Sequence, residues 1–100
     1  MTISTHVLDT GRGLPAAGVE VTLYRGDDVI GRGTTDADGR IADMTGGQTP
    51  GPGRYRLVFD SPPSDFFRRV ELEIAIDDPD RHYHVPLLVA PYSCASYRGS

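Results

Sequence analysis

The chain has 100 residues, enough for one domain of ordinary size. Its ten basic residues are all arginine and its carboxylates number fourteen, a net charge of −4. With no lysine there is no Schiff-base or P-loop amine, and the mild acidity argues against a nucleic-acid partner. A single cysteine, Cys94, excludes an intrachain disulfide and suits a reducing compartment. The N-terminus lacks a signal-like apolar run, and no stretch is long enough to cross a bilayer. A cytoplasmic protein without membrane contact is expected.

Apolar residues recur with period two, which marks half-buried strands. The first run, Ile3 to Asp9, places Ser4, His6 and Leu8 on one face and Ile3, Thr5 and Val7 on the other. Gly11 to Pro15 breaks it. Val19 to Tyr24 alternates next and ends at Gly26-Asp27-Asp28. Asp36-Ala37-Asp38-Gly39 reads as a tight turn with Gly39 at positive φ. Gly46 to Gly53 is a long breaker. Val70, Leu72, Ile74 and Ile76 then alternate with Glu71, Glu73 and Ala75, the clearest strand signal in the chain. About eight short strands result, near 3–9, 19–25, 29–35, 40–43, 54–60, 68–76, 82–89 and 92–97. Such spacing favours an antiparallel sandwich or barrel. No segment carries helical periodicity over ten residues.

The three histidines are His6, His82 and His84. His82 and His84 share a strand face. Histidine has an ordinary pKa of about 6.5 and suits proton transfer near neutrality. The same pair also admits a zinc reading if a third ligand converges on it. A strand histidine can equally be a surface residue or a hydrogen-bonded filler. Cys94 reads as a small apolar residue. No Gly-x-Ser-x-Gly elbow and no phosphate-binding glycine loop are present.

Two segments carry more. One is Ser4-Thr5-His6-Val7-Leu8-Asp9-Thr10 with Gly13-Leu14-Pro15-Ala16-Ala17-Gly18-Val19. The other is His82-Tyr83-His84-Val85-Pro86-Leu87-Leu88-Val89-Ala90-Pro91-Tyr92, ending in Tyr97-Arg98-Gly99-Ser100. Together they resemble the 5-hydroxyisourate hydrolases, enzymatic relatives of transthyretin. Thr35 to Arg40 and Tyr55 to Asp60 extend the resemblance over nearly the whole chain.

The resemblance implies a single domain, 1–100, with an all-β sandwich of two four-stranded antiparallel sheets. It implies a homotetramer, a dimer of dimers, with active sites at the dimer–dimer interface. The catalytic residues implied are His6, Arg40 and His84. These three, with Tyr97, Arg98, Gly99 and Ser100, would bind substrate; His82 is left outside the site. The implied reaction converts 5-hydroxyisourate to 2-oxo-4-hydroxy-4-carboxy-5-ureidoimidazoline in urate breakdown, with no metal and no cofactor.

Two departures from the family pattern stand out. Only Ser61-Pro62-Pro63-Ser64-Asp65 precede Phe66-Phe67, where relatives carry a short helix, so the helix is expected to be absent or reduced to a turn. Cys94-Ala95 replace bulkier or hydroxylated residues. Three other readings remain: a transthyretin-type binder of a small aromatic ligand, a zinc-dependent hydrolase, and a non-catalytic scaffold.

Overall fold

A computed structural model describes residues 1–100 as two packed β-sheets without a helix. Nine strands form: β1 (Thr2–Asp9), β2 (Leu14–Pro15), β3 (Glu20–Arg25), β4 (Asp28–Thr34), β5 (Arg40–Ile41), β6 (Gly53–Asp60), β7 (Arg69–Ile76), β8 (His82–Val89) and β9 (Cys94–Ser96). One sheet has the order β4-β3-β6-β7 and is antiparallel throughout. The other has the order β2-β1-β8-β9, with β5 also paired to β1.

The second sheet differs from the expected four antiparallel strands in two ways. It has five strands, because Leu14–Pro15 and Arg40–Ile41 both dock on the free edge of β1, one after the other. These two-residue strands are too short to carry a period of their own. In addition, β1 and β8 run parallel. β8 follows β7, which lies in the opposite sheet, so no hairpin joins it to β1 and the two can pair in parallel, while β9 returns antiparallel on its other edge.

The alternation read in the sequence decides what is buried. Ile3, Thr5 and Val7 of β1 face Tyr83, Val85, Leu87 and Val89 of β8 in the interior. Val21 and Leu23, then Tyr55, Leu57 and Phe59, supply the opposite wall. Thr5 is tolerated there because its hydroxyl donates to the Val85 carbonyl at 2.6 Å. On β7, Val70 and Ile76 are buried, but Leu72 and Ile74 are only half-buried. The three-residue β9 is too short to cover them.

The segment before Phe66-Phe67 is a turn, as its brevity suggested. The Ser64 hydroxyl accepts the backbone N–H groups of Phe66 (3.0 Å) and Phe67 (2.8 Å) and donates to the Pro91 carbonyl at 3.1 Å.

Candidate active site

The outer face of β1 carries Thr2, Ser4, His6 and Leu8, since their neighbours are buried. Arg40 pairs directly with His6 across the β1–β5 ladder. The turn before β5 sets this pairing. The Asp36 carboxylate accepts the backbone N–H groups of Asp38 and Arg40, both at 2.9 Å. Gly39 sits at φ 76°, as expected, and its carbonyl accepts the Val7 N–H at 2.7 Å. A Cβ on Gly39 would stand 2.4 Å from the Val7 carbonyl oxygen, so only glycine lets the turn seat against β1. The same turn fixes His6. Its Nε2 donates to the Asp38 carbonyl at 2.8 Å, which leaves Nδ1 without a partner within the chain.

His84 lies on β8 opposite Ser4. The Ser4 hydroxyl is 2.7 Å from His84 Nδ1, and it is also 2.9 Å from His82 Nε2. Thr2 Oγ1 hydrogen bonds His82 Nδ1 in turn. His84 Nε2 makes no hydrogen bond within the chain.

The C-terminal segment reaches His84 from the other side. β9 pairs Ser96 with Leu87, and the same register returns at a single bridge between Gly99 and His84. The ladder lapses between them because Pro86 has no N–H to give. The Gly99 N–H donates to the His84 carbonyl at 2.8 Å.

The His84 pKa lies below its ordinary 6.5. Burial is the main cause, and the charges of Arg40, His6 and His82 add to it. The ring is therefore neutral at physiological pH, the form in which it can accept a proton.

His6, Arg40 and His84 thus come together on one sheet face, from three strands. His6 and Arg40 line a shallow open depression with Leu8, Pro15 and Asp38. Gly99 joins them through its backbone. Tyr97 and Arg98 do not face this depression in the single chain. They line a separate apolar groove with Leu72, Ile74, Tyr83 and Val85. Ser100 is exposed. Two side chains outside the expected set, Ser4 and His82, touch it directly or through one atom. Their signal was the alternation Ser4-x-His6 and His82-x-His84, which puts all four on outward faces. No three His, Cys, Asp or Glu side chains converge as a metal-binding set. The inward nitrogens of the histidines are held by a carbonyl and by hydroxyls instead.

Residues 3–99 match the model of the HIUase/Transthyretin family. The chain belongs to this family. Among family members, the 5-hydroxyisourate hydrolase of Pseudomonas aeruginosa is 38% identical, over 98% of this chain and 90% of the relative. A solved 5-hydroxyisourate hydrolase from Klebsiella pneumoniae superposes with a TM-score of 0.88 at 36% identity, covering 99% of this chain and 98% of its own. Sea bream transthyretin, solved with thyroxine, gives a TM-score of 0.84 at 26% identity, with 99% and 95% covered. The same fold is therefore found in a hydrolase and in a transthyretin solved with thyroxine, so fold alone does not decide function.

Proposed function

We propose that this protein hydrolyses 5-hydroxyisourate to 2-oxo-4-hydroxy-4-carboxy-5-ureidoimidazoline, the reaction after which its relatives are named. The observation that carries the reading is the meeting of His6, Arg40 and His84 on one exposed sheet face.

Ring opening needs a water oxygen to attack a ring carbonyl carbon. A base must take a proton from that water. The carbon–nitrogen bond of the tetrahedral adduct must then break, with a proton delivered to the leaving nitrogen. His84 suits the base, because its ring is held neutral and its Nε2 is free. The Arg40 guanidinium forms no ion pair within the chain and is available to the developing oxyanion. His6, anchored at Nε2, offers Nδ1 to position the water or the ring. Proton shuttling between imidazole and substrate accounts for every step without a metal or organic cofactor.

Tyr97, Arg98, Gly99 and Ser100 belong to the substrate site in an assembled homotetramer, a dimer of dimers. Supporting this, β9 is exposed along its whole length and leaves a bare sheet edge. The depression around His6 is also open and needs a second surface to enclose a substrate. A cytoplasmic location suits the single unpaired cysteine.

The test is to generate 5-hydroxyisourate in situ from urate with urate oxidase and follow its ultraviolet absorbance. Wild-type protein should speed the decay, and His6→Ala or His84→Ala should abolish the gain. Decay at the spontaneous rate from folded protein would overturn the reading. It would turn attention to the ligand-carrier alternative that the transthyretin likeness keeps open.

A further inference from the structure

We propose that Ser4 and His82 are positioning residues that form a proton relay to His84 Nδ1. This rests on the hydrolase reading of the same face.

The chain of contacts is continuous. Thr2 Oγ1 meets His82 Nδ1, His82 Nε2 meets Ser4 Oγ at 2.9 Å, and Ser4 Oγ meets His84 Nδ1 at 2.7 Å. The parallel register makes this arrangement, because Thr2 pairs with His82 and Ser4 with His84 on adjacent strands. The path runs from an exposed end, Thr2 and His82, to the half-buried His84.

A serine hydroxyl has one proton and accepts on its lone pairs. Between two imidazoles it can therefore point only one way at a time. If it donates to His84 Nδ1, His84 carries its proton on Nε2, and His82 Nε2–H donates to Ser4. If it donates to His82 Nε2, His84 carries its proton on Nδ1, and Nε2 is bare. The second arrangement is the one a general base requires.

Conversion between them moves protons without leaving charge on His84. Nε2 takes a proton from the attacking water. The Nδ1 proton passes to Ser4 Oγ as the Ser4 proton passes to His82 Nε2. His82 then releases its Nδ1 proton toward Thr2 and solvent. Protonation of the leaving nitrogen runs the sequence backwards, so no proton is gained or lost over the cycle. Such a route matters here because a charged His84 is disfavoured by burial and by the neighbouring charge of Arg40. A base that cannot hold its proton cheaply gains from passing another one on.

The experiment has an arm that does not depend on turnover. The nitrogen chemical shifts of His84 report its tautomer. Ser4→Ala should change the Nδ1 to Nε2 balance in protein with unaltered circular dichroism, and Ser4→Thr should restore it. In the absorbance assay, Ser4→Ala should lower kcat, with KM little changed, by a share of the roughly 10²–10⁴-fold that positioned proton transfer contributes. His82→Ala should lower kcat in the same way, and added imidazole should restore it. Unchanged His84 shifts in Ser4→Ala would overturn the relay whether or not the wild type turns over. Wild-type kcat in both Ser4→Ala and His82→Ala would overturn it as well, as would loss in His82→Ala that imidazole does not rescue. A wild type that fails to speed 5-hydroxyisourate decay, with coupled His84 shifts intact, would sink the hydrolase reading and leave the hydrogen-bonded wire standing.

Discussion

Gly99 lies flat against the imidazole of His84. A Cβ at residue 99 would stand 2.6 Å from His84 Cδ2 and 3.1 Å from its Cβ. Glycine is required here by the ring, not by the backbone angle, since Gly99 is not among the positive-φ glycines. Gly99→Ala must either push the imidazole aside or break the Gly99 N–H bond to the His84 carbonyl. Because the segment is exposed, the cost to stability should be small. The cost to chemistry should be large, on the order of 100-fold in kcat, as displacement of a reacting group by about 1 Å produces. Paired thermal melts and steady-state assays would show this split; a large fall in Tm with kcat kept would contradict it.

The depressed His84 pKa sets a pH dependence. A base works in its neutral form, and His84 stays neutral until pH falls below the ordinary histidine value of 6.5. The rate should therefore be level through neutrality and drop on an acid limb lying below that value. Arg40→Gln removes one of the charges that lower the pKa, so the acid limb of the surviving activity should move to higher pH. A profile of kcat against pH for both proteins checks the direction of the shift.

Gly39→Ala should damage fold and site together. A non-glycine residue in the left-handed region costs about 1–2 kcal/mol, before the 2.4 Å approach to the Val7 carbonyl is counted. For a domain of this size that corresponds to a Tm lower by roughly 4–16 °C. The turn also carries Arg40 and the carbonyl that holds His6, so activity should fall further than the melt explains.

Asp43 ties the start of β1 to the loop after β5. Its carboxylate accepts the Ile3 N–H at 3.2 Å, the Thr45 N–H at 3.0 Å and the Thr45 hydroxyl. Burial alone would raise its pKa, but hydrogen bonds from Thr45, Ile3 and Gly47 outweigh it and hold it below 3.8. A depressed carboxylate stabilises the fold above its ordinary pKa, and that contribution is lost as pH falls through the folded value. Asp43→Asn should be less stable than wild type at neutral pH, by about 1–3 kcal/mol if a buried donor is left unmatched. The gap should close in acid. Urea midpoints for both proteins between neutral and strongly acid pH would measure it.

Local pattern made much of this legible. The outward face of Ser4, His6 and Leu8 followed from alternation, and the Asp36–Gly39 turn followed from its residues. The strand at Arg40–Ile41 lies within the one expected near 40–43, but that at Leu14–Pro15 was not visible, because docking on β1 creates it and no period of its own does. His82 stood outside the expected site for a related reason. Its contact with the site runs through Ser4, and that depends on a parallel pairing between strands at opposite ends of the chain. The division of the C-terminal residues was equally hidden. Gly99 reaches His84 while Tyr97 and Arg98 turn to the groove beside β7, because Pro86 interrupts the ladder that would have aligned them.

The pairing of β1 with β8 also bears on how the molecule is made. Every partnership between these strands joins residues 80 positions apart, from Thr2 with His82 to Asp9 with Val89. By contrast, β6 and β7 meet across a short connection. Closing the longer loop costs more chain entropy and rewards it later. The hairpins of the all-antiparallel sheet can collapse early, but the face bearing His6 and His84 comes into being only when the two ends of the chain find each other. In a refolding time course, burial of Phe59 and its neighbours should precede the return of catalysis, and the lag between them would be the time needed to close that 80-residue loop.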